Sequence, residues 1–481
     1  MRYTGGIGTA AQVDLIMRLL IILCTTTLVA LVIFIATRVV IAPPRSVATS
    51  PPRPSLPTLL VVAPTREPQS TPALALSPAA VVVVPSLSAT AAPTPSAAPL
   101  SARFNARPGD RLTIVRPGVF HINRVTADPL RVNILLFDLS APEFALGVGL
   151  NDGWLSGRVR TSGLARDYEA LAAVNGDLFS ENGLPQGLTM LNGQVATAPK
   201  RRATFALSRE GKPFIGYFTE EWTWQAEVRA STGAPFPITL LNQPCVSGQI
   251  CLYNELARSV PARSGALSVR TNSRGEVLAL VEDEGLRVRA NERVLLGTGA
   301  GASWLSKYAR LGQRLQINIG TEPPLSDYRH AISGGPIILR AGQFVQDCMC
   351  ALGDCSLTAR PAAKLRCEDF STDWKEKHYH SVRMPRTGIG FDQARQTLIV
   401  AVVDGYQRGY SRGITQREFA DLLQEFGASE AMELDGGGSS TMVLKGKVIN
   451  RPPDASGERY VANALLFFWR EQLTPLPSLR Q

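Results

Sequence analysis

Charge is almost missing from the first hundred residues. Leu19–Thr37 contains no charged residue, and it consists mostly of Leu, Ile, Val and Ala. At about 1.5 Å per helical residue this stretch spans roughly 28 Å, close to the ~30 Å hydrocarbon core of a bilayer. The sequence therefore predicts a short tail at residues 1–18 and a retained transmembrane signal anchor at residues 19–42. A cleaved signal peptide and a buried core helix are the alternatives.

The next segment also has little charge, and its proline content excludes regular structure. Pro43–Pro99 holds fourteen prolines among Ala, Ser, Thr and Val. Proline at this density prevents helices and sheets and favours extended polyproline II. We expect a linker at residues 43–102. It either holds a domain away from a membrane as a stalk or is a disordered tether without a spacing role.

Several binding patterns are absent as well. We find no internal repeat, no helix-turn-helix pattern and no basic patch interleaved with aromatic residues, so a nucleic-acid partner is not expected. The Asp and Glu residues are scattered rather than clustered at metal-ligand spacing. The formal net charge of +10 fits an anionic substrate or an acidic polymer, and it fits simple solubility equally well.

Seven cysteines are present, and six of them lie in two tight groups after the predicted anchor. An even number in such groups predicts disulfides in an oxidising compartment. Cys245 and Cys251 are expected to pair, whereas the other four allow three connectivities. A zinc site that includes His378 and His380 is the alternative, although the spacing is not the usual C-x2-C. The four are Cys348, Cys350, Cys355 and Cys367.

Residues 103–470 are predicted to form one strand-rich α+β domain of mixed type, followed by a tail at residues 471–481. A β-rich subregion is expected near residues 205–330. Short apolar, β-prone runs predict the strands, and one run is apolar throughout, as in a strand buried on both faces. The predicted strands are Val132–Leu139, Phe144–Leu150, Val269–Val281, Val288–Leu296 and, as the fully buried one, Thr397–Val403.

One helix has strong signals at both ends. Thr415 and Glu418 form a T-x-x-E capping box. The apolar residues from Phe419 to Phe426 share one helical face. Gly427 is placed to end the helix.

A few residues after this helix comes "ELDGGGSSTMVL", residues Glu433–Leu444. Three glycines let backbone N–H groups converge without Cβ atoms in the way, and such a concavity binds anions. Asp435 adds a carboxylate beside that site, and a simple flexible turn is the alternative. The predicted anion-binding residues are Gly436, Gly437, Gly438, Ser439, Ser440 and Thr441.

Other segments accompany this loop in a fixed order: "AVNGDLFSENGLPQGL", "ISGGP", "RTGIGFD", "VVDGYQRGYSRGITQREF" and "NRPPDASGERYVANALLF". With the glycine loop they resemble the phosphodiester glycosidase family over residues 103–470. Two positions depart from the family pattern. Glu433 stands where the family more often has Asn, and Gly388 stands where it often has Ala. In the alternative view Glu433 simply points away from the site.

The resemblance implies hydrolysis of a sugar-1-phosphodiester at the anomeric bond, which releases the sugar and leaves a phosphomonoester. A phosphomonoester is a good leaving group, since its second pKa is only about 6. The reaction therefore needs mainly a cation for the phosphate and a carboxylate for water or the anomeric carbon. Arg386 is the predicted phosphate clamp, with a structural ion pair as the alternative. The candidate catalytic carboxylates, in order, are Asp435, Asp404, Asp177 and Glu433.

The remaining expectations concern substrate contacts. Asn175 is predicted to hydrogen-bond the sugar or the phosphate, and Gly334 and Gly335 to let the backbone approach the ligand. Simple turns are the alternatives for Asp404 and Asp177. No cofactor is required, and a divalent cation at the loop is left open.

Two rival functions remain at this point. One is a non-catalytic, wall-anchored module that binds anionic glycans, and the other is a metal-dependent phosphodiesterase that cuts P–O. The anchor, linker and cysteines predict a single-pass membrane protein with its catalytic domain outside the cytoplasm. Its expected substrate is a wall or exopolysaccharide polymer at a bacterial surface.

Overall fold

The computed structural model describes residues 107, 109–155, 157–219, 224–233, 235–345 and 380–470. All of them belong to one compact unit, Ala91–Gln481. The predicted anchor, linker and C-terminal tail lie outside the described residues. So do Cys348, Cys350, Cys355 and Cys367. Within the part that is described, no helix is both long and apolar enough to cross a membrane.

Strands dominate the described chain. Those of its first part are β1 (Asp110–Arg116), β2 (Val119–Thr126), β3 (Leu130–Asp138), β4 (Phe144–Leu150), β5 (Val159–Arg160), β6 (Ala172–Asn175), β7 (Thr189–Leu191), β8 (Gln194–Thr197), β9 (Thr204–Ser208), β10 (Pro213–Gly216), β11 (Ala226–Arg229), β12 (Phe236–Leu241), β13 (Ile250–Asn254), β14 (Ser259–Val260) and β15 (Ala266–Asn272). The later ones are β16 (Val277–Glu282), β17 (Leu286–Arg287), β18 (Glu292–Thr298), β19 (Gln316–Ile319), β20 (Tyr328–Ser333), β21 (Ile337–Arg340), β22 (Gln343–Phe344), β23 (Arg386–Phe391), β24 (Thr397–Val403), β25 (Glu430–Glu433), β26 (Met442–Leu444), β27 (Lys447–Val448), β28 (Tyr460–Val461) and β29 (Asn463–Trp469).

The strands assemble into four larger sheets and two short pairs. An eight-stranded sheet has the order β1-β2-β3-β24-β23-β25-β21-β22, and a seven-stranded sheet has the order β16-β15-β18-β13-β12-β11-β19. Two five-stranded sheets have the orders β10-β9-β20-β7-β8 and β27-β26-β6-β29-β4. The short pairs are β14-β17 and β28-β5. Most neighbours are antiparallel, whereas β12 and β13 run parallel.

The α-helices of the described residues are α1 (Thr161–Asp167), α2 (Ala300–Tyr308) and α3 (Gln416–Glu425). The predicted capping box of α3 is confirmed, since Thr415 accepts from the backbone of Glu418 and the Glu418 side chain accepts from Thr415. Phe419 packs with the apolar face of the eight-stranded sheet. Gly427 follows the helix with a φ of 98°.

The predicted strand-rich domain is therefore confirmed, and so is the β-rich subregion, which contains the seven-stranded sheet. Val269–Val281 is wrong as a single strand, because it folds into the hairpin β15–β16. At the turn, the Gly275 N–H donates to the Asn272 carbonyl at 2.9 Å. Gly275 has a φ of 83°, which glycine adopts without strain. The predicted Cys245–Cys251 disulfide is present.

Strand β24 is buried on both faces, as its continuous apolar sequence predicts. Val400 packs into one hydrophobic cluster and Ile399 into another on the opposite face of the sheet. Strand β23 runs antiparallel to both β24 and β25. The start of β23 at Arg386 therefore lies beside the end of β24, before Asp404, and the end of β25 at Glu433. The topology thus gathers three of the predicted segments at one end of the neighbouring strands β24, β23 and β25.

Candidate active site

A pocket of about 290 Å³ lies at this end of the central strands of the eight-stranded sheet. The glycine loop, the Gly335 segment and the start of β23 contribute to its wall. Its lining residues are Leu178, Gly335, Met384, Arg386, Tyr406, Glu433, Leu434, Asp435, Gly436, Gly437, Gly438 and Arg459.

Asp435 is half-buried in the wall of the pocket, and its backbone is held from both sides. Its N–H donates to the Gly176 carbonyl at 2.8 Å, and its own carbonyl accepts from Asn175 Nδ2 at 2.6 Å. Burial raises the pKa of the Asp435 carboxyl to about 6, and the negative charge of Asp177 contributes to the rise, whereas Arg459 opposes it. A carboxyl group with this pKa accepts and donates protons near neutral pH.

The glycine loop turns sharply after Asp435, and protein atoms approach its backbone closely. The Gly437 N–H donates to the Pro385 carbonyl at 2.9 Å. The N–H groups of Gly436 and Gly438 have no hydrogen-bond partner among the described residues. A Cβ at Gly438 would collide with the guanidinium of Arg459. The loop therefore offers two amide donors rather than the predicted three.

Three hydroxyls follow the glycines, and all three are buried. In the described part of the chain, those of Ser439, Ser440 and Thr441 make no hydrogen bond of ordinary geometry. Ser439 nevertheless lies close enough to Asp435 to oppose the rise in its pKa. These residues lie behind the pocket wall rather than in it.

Arg386 reaches the pocket, but its guanidinium is already engaged. Nη1 donates to Glu433 Oε1 at 2.8 Å, Nε to the Ile414 carbonyl at 2.8 Å, and Nη2 to the Val382 carbonyl at 3.1 Å. Both side chains of the ion pair are buried, with 2% and 4% exposure. Burial raises the pKa of Glu433, and Arg386 opposes that rise.

Arg459 provides the more accessible cation at the rim of the pocket. Its Nε and Nη2 donate to the two carboxylate oxygens of Asp454 at 2.9 and 3.0 Å. The Arg459 side chain keeps 42% of its surface exposed. This bidentate pair fixes the plane of the guanidinium beside Gly438 while leaving part of it open to the pocket.

Asp177 is buried behind Asp435. Its Oδ2 accepts from the Gly187 N–H at 2.7 Å, while its Oδ1 lies 3.6 Å from Arg202 Nη2 and has no hydrogen-bond partner among the described residues. Burial raises the pKa of Asp177, and Arg202 opposes the rise. Asp177 therefore acts on the electrostatics of the site from behind the pocket lining.

Asp404 lies outside the pocket lining and holds the neighbouring loops. Its Oδ1 accepts from Asn450 Nδ2 at 2.9 Å and from the Arg451 N–H at 3.0 Å. Asn450 in turn donates to the Ser440 carbonyl at 3.0 Å. Burial raises the pKa of Asp404 to about 6, against these hydrogen bonds. The residue ties the end of β24 to the glycine loop.

The other predicted substrate contacts take different positions. Asn175 is fully buried, and its Oδ1 accepts from Thr387 at 2.8 Å and from the Thr441 N–H at 3.0 Å. Gly335 lines the pocket, whereas Gly334 packs beside it, where a Cβ would lie 2.6 Å from the Glu433 carbonyl. Asn175 and Gly334 thus hold the pocket from behind.

Two polar residues of the pocket, Arg459 and Tyr406, are absent from the sequence-based assignment, as are the apolar Leu178, Met384 and Leu434. Arg459 belongs to a recognised segment, but nothing in the sequence indicates that its side chain reaches the glycine loop. Tyr406 follows Asp404-Gly405 with a φ of 59° and is 54% exposed. The sequence offers one signal for Tyr406, because an aromatic residue directly follows a D-G pair at the end of a predicted strand. Among the described residues, no group of three or more His, Cys, Asp or Glu is placed to hold a metal ion.

Comparison with known proteins supports the resemblance. Residues 265–468 match the family described as phosphodiester glycosidase. Bovine N-acetylglucosamine-1-phosphodiester alpha-N-acetylglucosaminidase is 35% identical over 88 residues, which make up 18% of this chain and 16% of the bovine protein. The chain thus spans only a small part of that relative.

Two solved structures share the fold. A hypothetical protein from Synechocystis aligns with a TM-score of 0.59 and 20% identity, over 76% of this chain and 64% of that one. A protein from Burkholderia pseudomallei aligns with a TM-score of 0.54 and 24% identity, over 71% and 75% of the two chains. The resemblance predicted from the motifs is confirmed by the family match.

Proposed function

We propose that the protein hydrolyses the glycosidic bond of a sugar-1-phosphodiester. The proposal starts from residues 265–468, which match the phosphodiester glycosidase family. One observation carries the proposal. Asp435, with a pKa raised to about 6, lines a pocket together with an accessible arginine and a glycine-rich loop. A carboxyl group beside an oxyanion-binding wall is the combination that this reaction needs.

The phosphate contact is assigned to Arg459 and to the N–H groups of Gly436 and Gly438. Arginine binds phosphate oxygens through two parallel N–H groups, and backbone N–H groups in a turn add further donors. Arg386 donates from three nitrogens to protein acceptors, so its proposed part is to keep Glu433 neutralised. The role of phosphate clamp, which the sequence assigns to Arg386, stays a prediction.

Asp435 is assigned to the reacting carbon. In its ionised form the carboxylate either removes a proton from the attacking water or attacks the anomeric carbon itself. The bond from that carbon to the phosphate oxygen breaks, and the phosphomonoester leaves with the bonding electrons. Asp177 tunes this group, because its negative charge raises the pKa of Asp435. Tyr406 at the pocket wall offers an apolar face to the sugar.

The substrate class is proposed from charge and from the chain's organisation. The formal net charge of +10 fits an anionic polymer. The Cys245–Cys251 disulfide fits an oxidising compartment, and the apolar run Leu19–Thr37 fits a membrane anchor at residues 19–42. We therefore propose a single-pass membrane protein whose catalytic domain acts outside the cytoplasm on a surface glycopolymer.

The test uses the methyl phosphodiester of N-acetyl-α-glucosamine 1-phosphate, the sugar that occurs in the name of the bovine relative. The full-length protein is expected to release free sugar and methyl phosphate, and Asp435→Asn to lose at least about 1,000-fold in kcat. An Asp421→Asn variant on the exposed face of α3 is the matched control and should keep full activity.

The products separate the proposal from a phosphodiesterase that cuts on the methyl side and from a non-catalytic module. P–O cleavage on the sugar side gives the same two products and is distinguished by an oxygen-18 label. Release of methanol and sugar 1-phosphate would identify a phosphodiesterase that cuts the bond to the methyl side. Binding of a panel of sugar-1-phosphodiesters without turnover would identify a non-catalytic module. Either result would overturn the proposed glycosidase.

A further inference from the structure

A second cavity, of about 430 Å³, lies beside the short strand pair β28–β5 and shares one residue with the pocket of Asp435. The shared residue is Arg459, the cation assigned above to the phosphate. The volume of the second cavity falls within the range of about 300–1,000 Å³ typical of small-molecule sites. Its other lining residues are Arg158, Asp454, Ser456, Glu458 and Tyr460.

Arg459 is held in place where the two cavities meet. Asp454 accepts from its guanidinium through both carboxylate oxygens, and the pair packs so closely on the glycine loop that a Cβ at Gly438 would collide with both side chains. A phosphodiester has two ester arms, and the pocket of Asp435 is assigned to the sugar arm alone. The cavity that shares Arg459 is therefore the adjoining space for the other arm.

The lining of the second cavity carries polar groups that a ligand can reach. Glu458 Oε2 accepts from the Ser162 N–H at 2.9 Å, whereas its Oε1 has no hydrogen-bond partner among the described residues. Arg158 is exposed, and its Cζ lies 5.7 Å from the centre of the Phe179 ring, but it makes no ion pair or hydrogen bond in the described part of the chain. Ser456 adds an exposed hydroxyl. The cavity thus offers donors and acceptors together.

Tyr460 adds an aromatic surface to these polar groups. Arg160 Cζ lies 5.1 Å from the centre of its ring, and the residue is nevertheless 52% exposed. An open ring beside hydrogen-bonding groups suits a ligand with a carbon face and a polar edge, which a sugar ring has. None of the described lining residues is aliphatic, so a lipid chain would displace water from charged groups without replacing its hydrogen bonds.

We propose that the second cavity binds the arm of the phosphodiester that departs with the phosphate, and that this arm is a sugar or another polyhydroxylated group. Its hydroxyls donate to Glu458 Oε1 and accept from Arg158, while its carbon face lies on Tyr460. The inference rests on the proposed function, because that function places the phosphate on Arg459. It adds the chemical class of the departing group, which is hydroxyl-rich and not a lipid.

Calorimetric titration of the full-length Asp435→Asn variant tests the inference, because this variant is expected to leave the diesters intact. The ligands are three esters of N-acetyl-α-glucosamine 1-phosphate, with methanol, with hexan-1-ol and with O6 of glucose. The glucose ester should bind at least about tenfold more tightly than the methyl ester, as expected from added hydrogen bonds. The hexyl ester has as many carbon atoms in its arm as the glucose ester and should gain nothing over the methyl ester.

Two further substitutions in the same background assign this gain to the second cavity. Glu458→Gln keeps an acceptor for the Ser162 N–H and removes one carboxylate oxygen, and Tyr460→Ala removes the ring. Each should weaken binding of the glucose ester about two- to tenfold. The methyl ester does not reach either side chain, so the loss should be specific to the glucose ester.

Matched controls come from exposed positions outside both cavities. Glu284→Gln removes the same charge as Glu458→Gln, and Ile114→Ala on β1 removes an exposed apolar side chain. Both should leave the preference for the glucose ester unchanged. Thermal melting verifies that each variant is folded, and Glu458→Gln carries the test if Tyr460→Ala does not fold.

Four results would overturn the inference: no binding of any ester at millimolar concentration, equal affinities for the methyl and glucose esters, a hexyl ester that binds as tightly as the glucose ester, and a preference for glucose that persists in both cavity variants. Failure of the proposed function has a different signature, since the wild type would then leave the glycosidic bond of the methyl ester intact. The affinities of the three esters do not depend on that turnover.

Discussion

Replacing Asp435 with Asn is expected to abolish turnover and to stabilise the folded protein at neutral pH. The pKa of this carboxyl is raised from 3.8 to about 6, mainly by burial. At about 1.36 kcal/mol for each pH unit, keeping the carboxylate ionised in the folded state at pH 7.5 costs about 3 kcal/mol. Asparagine has nearly the same shape and does not ionise, so the variant avoids this cost.

The pH dependence gives the prediction its sign. Well below pH 3.8 the carboxyl is protonated in both the folded and the unfolded chain, and it contributes no difference. Between about pH 4 and pH 6 the unfolded chain loses the proton while the folded protein keeps it, so wild-type stability falls as the pH rises. Above the folded pKa the loss is complete. The stabilisation by Asp435→Asn should therefore be small at pH 4 and largest above pH 6.5.

Urea unfolding of the wild type and the variant at pH 4, 5.5 and 7.5 measures this difference. The Asp421→Asn variant, exposed on α3, gives the baseline for replacing an exposed carboxylate. A variant that is less stable than the wild type at pH 7.5 would refute the reasoning. Such a result would mean that the ionised carboxylate holds the loop together as part of a turn, rather than being kept there for chemistry.

Three further predictions follow from the contacts around the pocket. Arg386→Gln should lower the free energy of unfolding by about 3–5 kcal/mol, because it leaves Glu433 buried without its counter-ion; urea unfolding at pH 7.5 measures it. Arg459→Gln should raise KM for a sugar-1-phosphodiester at least about tenfold, as expected when a charged hydrogen bond to phosphate is lost. Thr415→Ala should cost about 1 kcal/mol of stability through loss of the α3 cap and leave kcat unchanged.

Each of these predictions has a clear contrary outcome. If Arg386→Gln is as stable as the wild type but fails to bind phosphodiesters, Arg386 is the phosphate ligand after all. If Arg459→Gln loses equally on an uncharged aryl glycoside, Arg459 does not contact the phosphate. If Thr415→Ala lowers kcat, the helix start affects the site directly rather than through stability.

Local patterns in the sequence predict local structure well in this protein. The capping box at Thr415, the buried strand at Thr397–Val403 and the Cys245–Cys251 pairing all depend on neighbours in the chain. The error at Val269–Val281 arises from the same kind of signal, since two β-prone runs flank a turn at Gly275 and together resemble one long strand.

Long-range contacts decide the roles of the site residues, and the sequence does not contain them. Arg386 and Glu433 are 47 positions apart, and only the pairing of β23 with β25 brings them into an ion pair. The same pairing places Gly388 opposite Glu433, and the ring of Phe419 in α3 packs on Gly388, where a Cβ would lie 2.6 Å from a ring atom. The two departures from the family pattern, at positions 433 and 388, are thus partners across one pair of strands.

The glycine loop shows both what a local sequence pattern predicts and what only long-range contacts decide. Its composition correctly indicates a close approach to the backbone, but the approaching groups include Arg459 and Pro385 from this chain. The hydroxyls of Ser439, Ser440 and Thr441 are buried behind the wall, although the sequence suggests that they face an anion. A row of donors in the sequence does not reveal which of them point toward solvent.

The most direct test of the account is hydrolysis of a sugar-1-phosphodiester in water enriched in oxygen-18. Mass spectrometry of the two products shows which one receives the heavy oxygen. The account predicts that the label enters the released sugar at its anomeric hydroxyl and that the methyl phosphate stays unlabelled. Label in the phosphate would show that the P–O bond breaks, and it would contradict an attack at the sugar carbon beside Asp435.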